Sequence, residues 1–301
     1  MTPTPLPGGY TPAELTGLIA RAGRALGLDG HQPHLLRGHT NAVVRLGPAV
    51  LKIARKGTPA PALEHTVQLV RWLTDSGFPS VPLHPGVRQP LQLAADAPAT
   101  VWTYLPQPAR PIIAADLAAP LAALHRLSDP PVPVRPLDNL DAIRRSLTAA
   151  RTLDADDLAF LRHRTDRLEH RLKDVRYELP PGLVQGDAQH RNALHDTAAG
   201  RTVLCDWDTL AHGRPEWDLV TVEIHCRRFG HGPAHYTDFA TAYGFDVTAW
   251  PGYPVLRDIR ELRMITTNAR KTAHTPGSLA EVRRRIKGLR ENEHALPWNI
   301  L

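Results

Sequence analysis

Two carboxylates and an amide, Asp187, Asn192 and Asp206, stand at spacings that suit chemistry on a phosphoryl group. They lie in Leu183-Val184-Gln185-Gly186-Asp187-Ala188-Gln189-His190-Arg191-Asn192-Ala193-Leu194, which resumes after Ala199-Gly200 as Thr202-Val203-Leu204-Cys205-Asp206-Trp207-Asp208. The apolar runs predict short strands over 192–196 and 201–206, joined as a hairpin. Asn192 then begins one strand and Asp206 ends the other, and in an antiparallel pair those ends are neighbours. An amide oxygen and a carboxylate meeting there suit one hard cation. Asp187 lies in the loop just before, five residues from Asn192. One carboxylate for a metal and another for a hydroxyl proton is the minimal equipment for phosphoryl transfer. Singly, Asp187 reads as a loop cap and Asp206 as a turn residue at a strand end. Only the combination points to function.

Lys52 is the second signal. The chain has thirty-six Lys and Arg, only five of them Lys, and this one interrupts the apolar run Val50-Leu51-Lys52-Ile53. Strand alternation allows a solvent-facing edge position. The alternative aims the ammonium at nucleotide phosphates, oriented by a carboxylate on the next helix. Glu64, beside Leu63, Val67 and Val70, is the natural partner. The loop Arg37-Gly38-His39-Thr40-Asn41 precedes the first strand and matches neither a P-loop nor G-x-G-x-x-G. Its backbone N–H groups and the Thr40 hydroxyl are candidate phosphate contacts.

These residues need elements to hold them. Thr11-Pro12-Ala13-Glu14 predicts a helix start, with Leu15, Leu18, Ile19 and Ala22 as its buried face. Strands are expected over 42–46 and 50–54, a helix over 63–74 and a strand over 100–105. Beyond that, helical spacing dominates, at 114–127, 137–151, 155–176 and onward to the C-terminus. The strand-rich part ends near Leu105.

At 301 residues the chain is long enough for one large domain or two lobes. No signal-peptide pattern or long apolar run is evident, so the expectation is a soluble cytoplasmic protein with no membrane partner. A formal charge of +6 invites a nucleic-acid reading, but no aromatic-plus-basic motif accompanies it. The densest basic run, Arg283 to Lys287, alternates with Val282, Ile286 and Leu289 and reads as the solvated face of a helix. No nucleic-acid partner is expected.

Taken in order, these motifs resemble the aminoglycoside phosphotransferase and choline kinase-like superfamily, from about Leu36 to Leu219 and more loosely beyond. The resemblance implies an α+β, bilobal protein-kinase-like fold: a small antiparallel β-sheet N-lobe with a helix over 1–105, and a larger, mostly helical C-lobe over 106–301. It implies Asp187 as catalytic aspartate, Asn192 and Asp206 as Mg²⁺ ligands, and Lys52 on the α/β-phosphates, oriented by Glu64. Thr103, Tyr104 and Leu105 become the hinge whose backbone meets the base. Asp218, in Gly213-Arg214-Pro215-Glu216-Trp217-Asp218-Leu219, becomes a helix cap.

The expected reaction moves the γ-phosphate of ATP, or GTP, to a hydroxyl of a small molecule. Aminoglycosides are polycations and need an anionic pocket. Glu223, Asp258 and Glu261 are the candidates for one, although each reads equally as a surface helix residue and a basic chain does not favour a polycation. The family's usual His-Gly-Asp is here Gln185-Gly186-Asp187. Gln can also donate and accept, which points to tuning, and it leaves open a nucleotide-binding pseudokinase. A kinase acting on Ser or Thr of a peptide is the third reading. An ordinary protein kinase is disfavoured, because only eleven residues separate Asp206 from Asp218, without A-P-E or H-R-D motifs.

Overall fold

A computed structural model describes residues 6–38, 40–128, 130–273 and 275–301. The chain divides into two compact units. The first contains residues up to Pro111, a short stretch ending at Pro133, and Leu194–Asp208. The second contains Ile112–Ser128, Val134–Ala193 and Thr209–Leu301.

The first unit opens with helix α1 (Pro12–Leu26), capped by Thr11 and Glu14 in a reciprocal capping box and stopped by Gly27 at φ 66°. Its sheet comprises β1 (Pro33–Gly38), β2 (Ala42–Leu46), β3 (Ala49–Ile53), β4 (Leu91–Ala94) and β5 (Ala97–Thr103), with α2 (Pro61–Asp75) between β3 and β4. The strand order is β1-β2-β3-β5-β4, all antiparallel. Ala49, Leu51 and Ile53 pack with Leu15, Leu18 and Ala22 of α1, a cluster that fills one face of the sheet. Alternation then turns Val50 and Lys52 to the opposite face. Because β3 pairs with β2 on one side and β5 on the other, Lys52 is not on an edge. Strands β1 and β4 are additions to the sequence reading: β1 begins at Pro33 and is exposed along nearly all its length, and β4 follows Pro90 and is short, with little alternation in either.

In the second unit helices α3 (Ala118–Leu124), α4 (Asn139–Ala149) and α5 (Ala155–Leu172) precede strand β6 (Gly182–Val184). Strands β7 (Ala193–Asp196) and β8 (Arg201–Leu204) pair with each other, and β6 pairs with β9 (Ala211–Gly213). Nearly all of the β7–β8 hairpin groups with the first unit, so the chain's division is not a single cut near Leu105. Four helices follow: α6 (Glu216–Arg228), α7 (Pro233–Tyr243), α8 (Tyr253–Lys271) and α9 (Leu279–Arg290). Ile259, Leu262, Ile265 and Ala269 of α8 pack against Ile143 and Leu147 of α4, Leu161 and Leu168 of α5, and Val282, Ile286 and Leu289 of α9.

One expectation about α9 is corrected. Its basic run does not all face solvent: Arg285 is buried, paired with Glu281 at 2.9 Å and stacked 4.5 Å from the Trp298 ring. A planar guanidinium with a carboxylate and an aromatic face available is tolerated inside, where an unpartnered cation is not. Among the described residues no helix is long and apolar enough to cross a membrane.

Candidate functional site

In the first unit the Asp206-Trp207-Asp208 triplet is held by its central residue. Trp207 is buried, its Nε1 donates to Ser80 Oγ at 3.0 Å, and its ring meets Phe78 edge-on at 5.7 Å. Leu204, at the end of β8, exchanges backbone hydrogen bonds with Pro79 and Val81 at 2.8 and 2.9 Å. Anchoring the Trp and the strand end leaves the flanking aspartates on the surface side. Asp206 lies two residues past β8 with φ 61°, a left-handed conformation that a non-glycine residue adopts only when its surroundings enforce it.

Lys52 Nζ donates to Asp206 Oδ1 and to Asp208 Oδ2, both at 2.8 Å. Burial works against the ammonium, but the carboxylates of Asp208 and Asp206 outweigh it and raise the Lys52 pKa. Lys52 therefore stays charged, with its charge held at two hard oxygen ligands. That donor chemistry fits Mg²⁺, which takes one or two carboxylates and completes its shell with water and phosphate.

In the second unit, Asp187 follows Gly186, which has φ 81°. A Cβ at Gly186 would lie 2.3 Å from the Thr209 carbonyl oxygen, so only glycine fits. Fully buried Asp218 accepts the Gln185 N–H at 2.7 Å and the Gly186 N–H at 2.9 Å. His125 Nε2 lies 3.1 Å from the same carboxylate. Asp218 thus braces the loop instead of capping α6, in whose first turn it sits. Gln185, also buried, accepts the Asp187 N–H on its side-chain Oε1 at 2.7 Å. Trp217 Nε1 closes the frame on the Gly186 carbonyl at 3.0 Å.

Asp187 accepts from three side chains: Arg260 Nη2 at 2.5 Å, Gln189 Nε2 at 2.6 Å and Asn192 Nδ2 at 3.2 Å. Burial would raise its pKa; the Arg260 guanidinium, helped by the Gln189 amide, reverses this and holds the carboxyl below the usual aspartate range. Nearby His225 is pushed down to about 3 by burial and Arg260, and stays neutral at ordinary pH. Asn192 sits in a single turn, His190–Asn192, immediately before β7. Its Nδ2 also donates to the Asp187 carbonyl at 2.9 Å, so Oδ1 is the atom left for a cation.

The remaining predicted residues fall as follows. Glu64 is exposed in the first turn of α2, where a carboxylate complements the helix dipole, and Lys52 is paired with the two aspartates instead. Thr40 is exposed in the bend before β2, and His39 lies outside the described residues. At the expected hinge the Thr103 N–H donates to Pro82 and the Tyr104 N–H to Pro48, at 3.0 and 2.8 Å, while Arg45 stacks 3.9 Å over the Tyr104 ring. Glu223, Asp258 and Glu261 each face arginine: Glu223 pairs with Arg227, Glu261 with Arg227 and Arg228, and Asp258 with Arg164 and Arg257. Their charge is spent within the fold.

Two further residues, one in each unit, contact the predicted ones, and sequence reading did not single them out. Asp208 was visible inside the triplet, and its two-residue offset from Asp206 was the available signal. Arg260, 73 residues from Asp187, had no local signal at all.

Comparison with known proteins adds three findings. The sequence model of the phosphotransferase enzyme family matches residues 33–259. No curated protein matches the chain. Among solved structures, a choline/ethanolamine kinase family protein from Mesorhizobium loti is similar at TM-score 0.63 and 19% identity, covering 92% of this chain and 97% of that one. Choline kinase LicA from Streptococcus pneumoniae is similar at TM-score 0.66 and 16% identity, over 92% and 99% of the two chains. Amicoumacin kinase hAmiN, solved with AMP-PNP, Ca²⁺ and Ami, is similar at TM-score 0.66 and 15% identity, over 94% and 98%. At such identities the likeness establishes the fold, which is kinase-like, α+β and bilobal.

Proposed function

Because the chain belongs to the phosphotransferase enzyme family, we propose that it moves the γ-phosphoryl group of ATP to a hydroxyl of a small molecule with the help of Mg²⁺. The observation that carries this reading is Asp187: a half-buried carboxylate, kept ionised by Arg260, on a loop locked by Asp218. An ionised, immobile carboxylate is what a general base for an alcohol requires.

In this reading the acceptor O–H points at Asp187. As the acceptor oxygen forms its bond to the γ-phosphorus, the proton passes to the Asp187 carboxylate. The bond between the γ-phosphorus and the β–γ bridging oxygen breaks, and the nucleoside diphosphate leaves. Asp206 and Asn192 Oδ1 are the oxygen ligands assigned to Mg²⁺, which when bound neutralises charge on the phosphates. Lys52 is assigned to the donor phosphates, reached by exchanging its hold on Asp206 and Asp208. With the Thr103 and Tyr104 N–H groups already engaged, the base contact falls to the backbone of Leu105. The Gln185 side chain, bound to the Asp187 N–H, supplies a bracing hydrogen bond and so favours an active enzyme over a pseudokinase.

The test is release of ADP from Mg²⁺–ATP across a panel of hydroxylated metabolites and antibiotics, with Asp187→Asn as control. Turnover that survives in the control, or none with any acceptor despite nucleotide binding, would overturn the reading.

A further inference from the structure

Arg260 is the first of a series. Arg263, Thr267 and Lys271 follow it on α8 at i+3, i+7 and i+11, a spacing that keeps all four on one side of a helix. Arg270 flanks the same side. The opposite side of α8 is the apolar stripe Ile259, Leu262, Ile265 and Ala269 that enters the core. The polar side is therefore a cationic stripe starting at Asp187.

What sets this stripe apart is the lack of countercharge. Among the described residues, most of the other partly or fully buried arginines of this unit have a carboxylate: Arg227 and Arg228 have Glu261, Arg285 has Glu281, and Arg164 and Arg257 have Asp258, whereas Arg214 rests on the Leu179 carbonyl and the Tyr177 ring. Among the described residues, Arg263 bonds only the Thr267 hydroxyl, at 3.3 Å, and neither Arg270 nor Lys271 pairs with a carboxylate. Arg260, itself more than nine-tenths buried, keeps a buried Nε without a partner. Burial, followed by the guanidinium charges of Arg260, Arg270 and Arg145 of α4, lowers Arg263 to about 10. The crowded surroundings and Arg270 lower Lys271 too, although its side chain is exposed, and the Asp187 carboxylate acts on both residues in the other direction. Arg270 and Lys271 are exposed, so the cost of missing countercharge falls on partly buried Arg263 and on the buried, unpartnered side of Arg260, where an anion would complete them.

We propose that this stripe is the acceptor subsite and that the acceptor is an acid: a small polyol bearing a carboxylate or phosphate. Its anion rests on Arg263 and Lys271 and its hydroxyl meets Asp187. The proposal rests on the phosphotransferase reading and adds the substrate class. Arg263 lies roughly 5 Å along the helix axis from Arg260 and Lys271 roughly 16 Å, so a six-carbon acid reaches from Asp187 past Arg263, and the long Lys271 side chain must reach back along the helix to meet it. A polycation would meet like charges along the stripe and find Glu223, Asp258 and Glu261 already occupied.

Calorimetric titration of the whole chain tests this, with and without saturating Mg²⁺ and a non-hydrolysable ATP analogue. The probes are gluconate, glucose 6-phosphate, glucose, glucosamine and inorganic phosphate, so that carboxylate and phosphate are separate arms on one carbon skeleton. The expected result is that at least one acid binds about ten-fold more tightly than glucose or glucosamine. Arg263→Ala and the surface change Lys271→Ala should each weaken that acid about ten-fold and leave the analogue's affinity unchanged. Equal binding of acid, neutral sugar and amine, preference for glucosamine, or no anion binding overturns the proposal. Weaker analogue binding in Arg263→Ala also overturns it, by assigning the stripe to donor phosphates. Failure of the analogue to bind before any acid is added counts instead against the nucleotide-dependent reading, and the titration without analogue still reads the stripe.

Discussion

Arg260 Nη2 lies 2.5 Å from Asp187 Oδ1, joining the middle of α8 to the loop before β7. The contact sets the protonation of Asp187, because burial alone would favour the neutral acid. Replacing Arg260 by Met should raise the Asp187 pKa. A base must be ionised to act, so the acid limb of kcat against pH should move to higher pH, by about one to two units. The groups around this carboxylate, His225, Gln189 and Asn192, remain in the variant; burial still lowers His225, but without the Arg260 charge its own pKa rises as well, so an Arg260→Met, His225→Phe pair isolates the Asp187 limb. An unmoved acid limb would show that Asp187 does not titrate in catalysis.

Asp187→Asn keeps the side chain's shape and removes its basicity. We expect kcat to fall by roughly 10²–10⁴ with Mg²⁺–ATP affinity within a few-fold, measured by steady-state kinetics and nucleotide titration. Full activity would remove Asp187 from the reaction.

Lys52→Met should lower turnover more than nucleotide affinity, since the contact to the phosphates strengthens as charge moves. Asp206→Ala should abolish the gain in nucleotide affinity that Mg²⁺ confers. Titrating ATP with and without Mg²⁺ separates the two variants, and identical behaviour would mean the residues have been given the wrong roles.

Gly186→Ala places a Cβ against the Thr209 carbonyl and demands a left-handed alanine. Destabilisation of about 2–4 kcal/mol by urea unfolding is expected, with activity lost alongside. A change under about 0.5 kcal/mol would mean the loop readily finds another conformation.

Glu261→Gln removes the carboxylate that neutralises buried Arg228 and is one of the two that face Arg227. About 3–5 kcal/mol of stability should be lost. Burial opposes ionisation of Glu261, yet Arg228 and Arg227 hold its pKa below the ordinary glutamate value. A depressed native pKa contributes stability that is present above the unfolded-state value and disappears as pH falls through the native one. The parent and variant stabilities should therefore converge in acid, which unfolding curves across pH will show.

Sequence alone determined the chemical alphabet and its local grammar. Capping at Thr11, the β2 and β3 strands, the core stripe Val282-Ile286-Leu289 and the two acidic motifs were all legible, because each depends on spacing within about a dozen residues. The tertiary structure decided which charges meet. Lys52 took Asp206 and Asp208 over Glu64, since the hairpin carrying the triplet groups with the N-terminal sheet. Asp218 became the brace of a loop more than thirty residues earlier, and Arg260 became the partner of Asp187. Glu223, Asp258 and Glu261 were drawn to arginines whose positions no local pattern announces. Electrostatic pairing acts through space and leaves no periodicity in the chain, so hydrophobic spacing could foretell the helix that bears Arg260 but not the carboxylate that it reaches.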